Sequence, residues 1–176
     1  MGKFFSDIPD YESVSTGGSD CYTPPKIIEL VRFTMGSIDL DPASSDLAQK
    51  TVQAGAYYTK EQNGLVHPWF GNIFLNPPFD WKTTTAFTNK LCDEWEYGNF
   101  NQAVFLAPVY TYSAWFQRAS NVSDLLCLVS GKIQFCLAGG GKNTVPTGTV
   151  FFYFGDKEKV FAERFRTLGT ICSRCE

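Results

Sequence analysis

The sequence contains a single histidine, His67, among its 176 residues. Serine and cysteine nucleophiles usually depend on a neighbouring histidine as a base, so one histidine makes that kind of catalysis a poor candidate. Zinc chemistry is also disfavoured. A structural zinc ion takes four ligands, and Cys172 and Cys175 form the only closely spaced cysteine pair, far from His67. We therefore expect no metal site.

Long apolar runs are absent as well. No segment approaches the ~20 apolar residues of a membrane-spanning helix, and residues 1–9 lack the apolar stretch of a secretory signal. The 6 cysteines are scattered, as is typical of reduced thiols rather than of a disulfide framework. These features predict a cytoplasmic protein with no membrane partner. They leave the oligomeric state open and are compatible with a monomer.

Charged residues are few, and positive charge is not in excess. The chain has 15 Lys and Arg against 18 Asp and Glu, a net charge of −3, and 44% hydrophobic residues. This composition indicates a globular chain and argues against strong non-specific attraction to phosphates. It neither supports nor excludes a DNA substrate, because Lys82, Lys132 and Lys142 are candidates for a local basic patch.

Strand-like and helix-like segments alternate along the chain, which predicts an α/β fold with a mostly parallel sheet. A flexible arm is expected over residues 1–20, which end in a Ser- and Gly-rich stretch, and a single domain over residues 21–176. The predicted strands are 37–41, 56–59, 71–76, 103–107, 125–129, 133–135 and 149–154, the last ones closing the chain as an antiparallel hairpin. The predicted helices begin at Thr23-Pro24-Pro25, where Thr caps and Pro is accepted in the first turn, and at Ser44, and lie within 81–97 and around Phe161.

The tetrapeptide Asn76-Pro77-Pro78-Phe79 directly follows the apolar run 73–75. Proline fixes φ and lacks an N–H, so the Pro77 carbonyl is held rigidly beside the Asn76 amide. These two oxygens can accept both hydrogens of a planar amine, such as N6 of adenine, and stabilise the positive charge that grows during methyl transfer. The Phe79 ring can stack on the base. The pattern therefore indicates methylation of a planar amine.

A stiff strand-to-helix connection is the alternative interpretation, because Asn-Pro dipeptides commonly begin turns. The surrounding sequence favours the functional one. Residues 71–76 are typical of a buried central strand, and Phe87, Leu91 and Trp95 recur every four residues on one helical face. Open α/β sheets bind ligands outside the carboxyl ends of their strands, and the tetrapeptide is expected at such an end.

Two acidic residues in Asp39-Leu40-Asp41-Pro42-Ala43-Ser44 form the second candidate site. They stand where a strand enters a helix. An Asp there can hold an ammonium group or a ribose hydroxyl, while the helix N-terminus favours a carboxylate. A cofactor that carries an amino acid would satisfy both. An ordinary acidic helix cap is the alternative.

Three motifs in order, Tyr22-Thr23-Pro24-Pro25, residues 39–44 and residues 76–79, resemble those of the S-adenosylmethionine-dependent DNA N6-adenine methyltransferases. The chain looks most like their small Dam-like type, which is common in bacteriophages and prophages. The similarity runs from about residue 20 to about residue 154. The three motifs are specific together, whereas no single one is.

The resemblance implies a Rossmann-like class I methyltransferase fold with helices on both faces of the sheet. It implies S-adenosylmethionine as cofactor, DNA as partner, a target adenine flipped out of the duplex, and the cytoplasm of a bacterium or phage-infected host. The catalytic residues would be Asn76, Pro77, Pro78 and Phe79. Tyr22, Thr23 and Pro24 correspond to the motif that cradles the methionine part of the cofactor. The other cofactor-binding residues would be Asp39, Asp41, Pro42, Ala43 and Ser44.

The chain departs from the family pattern after Asp41-Pro42-Ala43, where Ser44-Ser45-Asp46 replaces the usual glycines. Asp39 and Asp41 can therefore alternatively be placed on the neighbouring strand, where an acidic residue binds ribose hydroxyls. Asn63 is a candidate for the adenine side of the cofactor. No separate target-recognition domain is expected, so specificity would reside in loops 60–70, 80–84, 110–115 and 138–148.

Other functions share this pocket chemistry. The same tetrapeptide would suit an RNA adenine or a protein glutamine amide as methyl acceptor. A non-catalytic relative that binds the cofactor or DNA is a further alternative, although such a protein has no need of the Asn76 amide.

Overall fold

The computed structural model describes residues 21–173, which form a seven-stranded sheet, a separate three-stranded sheet and five α-helices. The expected arm, residues 1–20, lies outside this range. The strands are β1 (Cys21–Tyr22), β2 (Leu40–Asp41), β3 (Ala56–Tyr57), β4 (Asn72–Leu75), β5 (Gln102–Pro108), β6 (Leu125–Val129), β7 (Phe135–Leu137), β8 (Lys142–Asn143), β9 (Thr149–Phe154) and β10 (Gly169–Ser173). The helices are α1 (Pro25–Met35), α2 (Asp46–Val52), α3 (Trp81–Glu96), α4 (Ala114–Val122) and α5 (Glu158–Phe165).

The large sheet is mixed, with the order β3-β2-β4-β5-β9-β6-β10. Strands β3, β2, β4 and β5 are parallel, as a βα alternation predicts. Strand β9 is antiparallel to both β5 and β6, and β10 is antiparallel to β6. The antiparallel hairpin expected at the end of the chain therefore corresponds to the pairing of β6 with β9.

The chain reverses its direction of travel across the sheet at β2. It passes from β2 to β3 on one side, then crosses back to β4 on the other side of β2. Ligands of open α/β sheets bind in the crevice at such a switch point, outside the carboxyl ends of the strands. Here those two ends carry residues 42–44 and 76–79.

Helices cover both faces of the sheet because alternate residues of each central strand point to opposite sides. Phe74 packs in one core with α1 and α5, whereas Ile73 and Leu75 pack in the other with α3 and α4. All residues of β5 and β9 are buried, so these two strands form the centre of the molecule. None of the helices within residues 21–173 has the length and apolar character needed to cross a bilayer.

A polar network closes the amino edge of the sheet. The Gln102 Nε2 group donates to the Met35 carbonyl and to Asn72 Oδ1, each at 3.1 Å. The Tyr153 hydroxyl donates to Gln102 Oε1 at 3.0 Å. The network therefore joins α1, β4, β5 and β9, and it satisfies polar groups that burial would otherwise leave without partners.

Two sequence-based expectations about elements are wrong. Thr23 does not cap α1, because Pro24 occupies the N-cap position and no side chain caps the helix. The expected strand 133–135 is displaced to β7, which leaves the large sheet and pairs with β1 and β8. Strand β10, which the sequence analysis did not predict, pairs with β6 along its whole length.

Candidate active site

Residues 76–79 cross the carboxyl edge of the sheet between β4 and α3. Pro77 is buried, Asn76 and Phe79 are half-buried, and Pro78 is exposed. Asp80 caps α3 by accepting a hydrogen bond from the Thr83 amide at 2.9 Å, which fixes where the helix begins. The predicted frame of strand, proline turn and helix is thus confirmed.

The Asn76 amide is held by a buried hydroxyl. Its Nδ2 group donates to Thr23 Oγ1 at 2.9 Å, and Thr23 is only 4% exposed. Anchoring the nitrogen fixes the direction of the side-chain oxygen. No hydrogen-bond donor within residues 21–173 contacts that oxygen, so it can accept from a ligand.

The carbonyl and ring of the tetrapeptide are also constrained. The Pro78 carbonyl accepts from the Thr84 hydroxyl at 3.1 Å. The predicted role of the Pro77 carbonyl towards a substrate amine stays a prediction. The Phe79 ring packs edge-to-face against Phe135 of β7, with centroids 6.1 Å apart. That contact orients the ring while leaving part of it accessible.

Asp41 is buried at the carboxyl end of β2, with 3% exposure. Its carboxylate accepts from the Ala43 amide at 3.4 Å and from Gln49 Nε2 at 2.9 Å. Burial raises the pKa of Asp41 from 3.8 to about 6, against the lowering effect of these hydrogen bonds and of one with Ser44. Asp41 therefore braces the loop of residues 42–44 from beneath.

Gln49 of α2 is a site residue that sequence reasoning missed. Besides Asp41, its Nε2 group contacts Ser44 Oγ at 2.7 Å, and its Oε1 atom accepts from the Ala54 amide at 2.9 Å. The Gln49 side chain thus links the loop of residues 42–44, which precedes α2, to Ala54, which follows α2. A glutamine on a short helix is a common surface residue, so no signal in the sequence marked it.

Asp39 lies apart from this edge. Its carboxylate accepts from the Asn72 amide at 2.8 Å, at the start of β4. Asn72 is four residues before Asn76 along an extended strand, a span of roughly 13 Å. Gly71, at φ +67°, accommodates the carboxylate, since a Cβ there would lie 2.5 Å from Asp39 Oδ2. Asp39 thus has a structural partner at the amino end of β4, and its expected cofactor role stays a prediction.

The alternative placement of the two acids is also settled by the pairing. Asp41 belongs to β2, the strand that directly adjoins β4, and not to the outer strand β3. Helix α1 immediately precedes this strand, as the preferred interpretation required.

A cleft of about 200 Å³, including the solvent at its mouth, lies beside the loop after β2. Asn63 lines it but uses its side-chain oxygen to accept from the Leu65 amide at 3.2 Å. Gly64 permits a close approach, because a Cβ there would lie 2.0 Å from the Pro42 carbonyl oxygen. The lining residues are Pro42, Ala43, Ser44, Thr59, Lys60, Asn63, Gly64 and Phe87.

His67 and the two buried cysteines, Cys92 and Cys127, are side chains of types that can act in catalysis, but here they pack against neighbouring residues. His67 stacks on Tyr58 with centroids 4.6 Å apart, and its ring contacts the Gln62 carbonyl at 3.0 Å. Burial raises the pKa of the Cys92 and Cys127 thiols to about 12, so neither is a ready nucleophile. In the part of the chain that the structure describes, no three His, Cys, Asp or Glu side chains group as metal ligands.

Comparison with known proteins gives a family match over most of the chain. The family model for DNA N-6-adenine-methyltransferase (Dam) matches residues 16–162. Comparison with curated protein sequences gives no match.

Among solved structures, similarity is found to the "crystal structure of a putative RNA methyltransferase PH1948 from Pyrococcus horikoshii". The similarity covers 73% of this chain and 81% of that chain, with a TM-score of 0.45 and 10% identity. A likeness of this extent supports no argument about the substrate.

Proposed function

Since the chain belongs to the DNA N-6-adenine-methyltransferase (Dam) family and is an adenine-specific DNA methyltransferase, we propose that residues 76–79 hold the target adenine while S-adenosylmethionine provides the methyl group. The observation that carries this proposal is the Asn76 amide. Thr23 holds its nitrogen at 2.9 Å, so its oxygen is directed towards a ligand at the end of β4.

The fold supports this assignment. The switch point lies between β2, whose following loop lines the cleft, and β4, which ends in the tetrapeptide, and Rossmann-like folds bind nucleotides at such a point. We therefore propose a Rossmann-like class I methyltransferase fold. Residues 21–176 would act as one domain, in which loops 60–70, 80–84, 110–115 and 138–148 take the part of a target-recognition domain.

We propose that S-adenosylmethionine binds at the switch point. Small side chains and backbone groups of residues 42–44 line the cleft, and the Asp41 carboxylate lies beneath them. Residues 42–44, Thr59 and Asn63 would hold the cofactor. Tyr22 of β1 and Pro24, which precedes α1, would contact its methionine part, as the resemblance implies. When bound, this cofactor supplies an electrophilic methyl group.

The protein's own groups then act on the adenine. Asn76 Oδ1 and the Pro77 carbonyl accept the two N6 hydrogens and stabilise positive charge on that nitrogen as the new bond forms. The nitrogen loses its proton after attack, so no strong base is required. Phe79 stacks on the base.

A half-buried tetrapeptide cannot reach a base inside a duplex. The adenine would therefore be flipped out, at a cost of a few kcal/mol of stacking and pairing. Both DNA and cofactor are present in the cytoplasm of a bacterium or of a phage-infected cell, which is where we place the reaction.

The test measures transfer of labelled methyl from S-adenosylmethionine to mixed-sequence duplex DNA, followed by nucleoside analysis. We expect N6-methyladenine with the wild type and none with Asn76→Ala. The matched control is Asn101→Ala, an exposed asparagine in the turn before β5, which should keep full activity.

Two outcomes would contradict the proposal. Full activity of Asn76→Ala would remove the amide from the mechanism. Label on RNA or on a protein amide, with none on DNA, would assign the pocket to one of the other planar amines.

A further inference from the structure

Three aromatic side chains form a cluster on the surface next to the tetrapeptide. Trp81 is the first residue of α3, and Tyr110 and Tyr112 lie in the loop between β5 and α4. The Trp81 ring is 6.2 Å from that of Tyr110 and 6.0 Å from that of Tyr112, nearly parallel to the latter at 21°. We call Trp81, Tyr110 and Tyr112 the aromatic surface.

The aromatic surface adjoins the proposed adenine pocket because of the sheet topology. Strands β4 and β5 are parallel neighbours, so the segments that follow them emerge at the same edge. Trp81 comes two residues after Phe79, with only the helix cap Asp80 between them. A nucleic-acid strand whose adenine reached Asn76 would therefore pass over these rings.

Two of the three rings are unusually exposed. Trp81 is 51% exposed and Tyr112 is 78% exposed, whereas Trp115, against which Tyr110 packs, is 2% exposed. Large exposed aromatic side chains that adjoin one another mark interaction sites more often than isolated ones do. Tyr110 thus connects the aromatic surface to the buried Trp115, while Trp81 and Tyr112 are exposed to solvent.

The loop that carries the tyrosines is braced rather than loose. The Tyr110 carbonyl accepts from the Ser113 hydroxyl at 2.7 Å, and the Thr111 carbonyl accepts from Gln117 Nε2 at 2.6 Å. Ring positions fixed in this way lose little conformational freedom when a ligand stacks on them.

The net charge of −3 provides no overall attraction to DNA phosphates, so contacts other than charge can contribute to the affinity. Stacking on aromatic side chains binds bases without phosphate neutralisation, and it tolerates any base because each has a π face. Exposed rings next to the pocket would therefore add affinity for DNA that does not depend on positive charge.

We propose that Trp81 and Tyr112 stack on the bases that flank the target adenine, and so hold the strand while the adenine occupies the tetrapeptide. This proposal rests on the proposed function. It adds two residues that bind the DNA strand outside the adenine pocket, and it identifies their contact with the DNA as stacking on bases. It also predicts that DNA whose flanking bases are unpaired binds better than fully paired DNA, because only unpaired bases offer their faces.

The test is fluorescence anisotropy with a fluorescein-labelled single-stranded deoxyoligonucleotide that contains one adenine. Trp81→Ala and Tyr112→Ala should each weaken binding about tenfold, within the range known for loss of one base–aromatic stack. Trp81→Phe should retain most of the affinity. The matched control is Tyr97→Ala, which removes an 80% exposed tyrosine at the opposite end of α3 and should bind as the wild type does.

A second probe separates stacking from other effects. In it, the nucleotides flanking the adenine are abasic. Wild-type protein should bind this probe about a hundredfold more weakly than the intact one, because both stacks are lost. Trp81→Ala, which has already lost one stack, should distinguish the two probes only about tenfold. The dependence of affinity on salt should not change in Trp81→Ala, since ring contacts release no counterions.

Wild-type affinity of both Trp81→Ala and Tyr112→Ala would overturn the inference, as would an equal loss in Tyr97→Ala. Methyl transfer measured at saturating DNA keeps this result distinct from the proposed function. N6-methyladenine from the wild type, with unchanged binding by the variants, refutes only the aromatic surface. Absence of N6-methyladenine from the wild type refutes the proposed function whatever the variants bind. If Trp81→Ala does not fold, the binding of Tyr112→Ala decides the test alone, because that substitution lies in a loop.

Discussion

At the scale of single residues, Thr23 has a different neighbour from the one its motif suggested. The resemblance implies that Thr23 cradles the cofactor, and the pattern of the sequence predicted a helix cap. In the structure its hydroxyl does not cap α1 but accepts from Asn76 Nδ2, while its cofactor role stays a prediction. Thr23 is therefore placed to position the amide of the proposed catalytic residue.

Thr23→Val removes the hydroxyl and keeps the shape of the side chain. Loss of one hydrogen bond is worth about 1 kcal/mol, which corresponds to roughly a fivefold lower kcat if the amide is no longer held for the transition state. Thr23→Ser should restore most of the rate. Steady-state kinetics with both substrates measure the effect. A higher KM for S-adenosylmethionine with unchanged kcat would instead assign Thr23 to the cofactor.

Asp41 gives the fold a pH dependence of defined sign. Its pKa is raised in the folded state to about 6 from 3.8, so its contribution to stability is fully present below pH 3.8 and is lost as the pH rises through about 6. Asp41→Asn cannot ionise. Relative to the wild type it should gain stability between pH 4 and pH 8, by up to roughly 3 kcal/mol.

Urea unfolding of both proteins across this pH range measures that gain. The comparison cancels the titration of all other groups. A stability difference that stays constant between pH 4 and pH 8 would show that Asp41 is not destabilised by ionisation.

At the scale of elements, the predictions made from the local periodicity of apolar residues agree best with the structure. The expected strands 125–129 and 149–154 and the helix within 81–97 agree with β6, β9 and α3. Each has an apolar pattern contained in its own residues. The location of residues 76–79 at the end of a strand followed from the same kind of pattern.

Long-range pairing is what the sequence did not reveal. Strand β1 pairs with β7, so that Tyr22 lies opposite Cys136, and strands of two and three residues leave no periodic signature. Strand β10 depends on its partner β6 in the same way. Within the site, Gln49 and the aromatic surface were missed because they depend on which loops the folded sheet brings together.

At the scale of the whole molecule, the two cores share one sheet, and the network around Gln102 ties α1, β4, β5 and β9 together. Hydrogen exchange should therefore be slowest in β4, β5 and β9, whose amides open only with global unfolding. Residues 138–144 are exposed and should exchange fastest among residues 21–173, except near the chain ends.

Mass spectrometry of deuterium uptake measures this order directly. Slow exchange in residues 138–144, or fast exchange in β5, would contradict a single cooperative sheet. Addition of DNA offers an internal check, because protection should then appear in the segments around Trp81 and Tyr112.

The pairing of β1 with β7 has an evolutionary consequence. Strand β1 runs directly into Thr23, and β7 runs into the exposed turn of residues 138–141. A substitution that shifts the turn also shifts the residue that holds the Asn76 amide. Under the proposed role of Asn76, selection on this turn is coupled to selection on turnover, and variants that acquire a new turn are expected to carry compensating changes near Thr23.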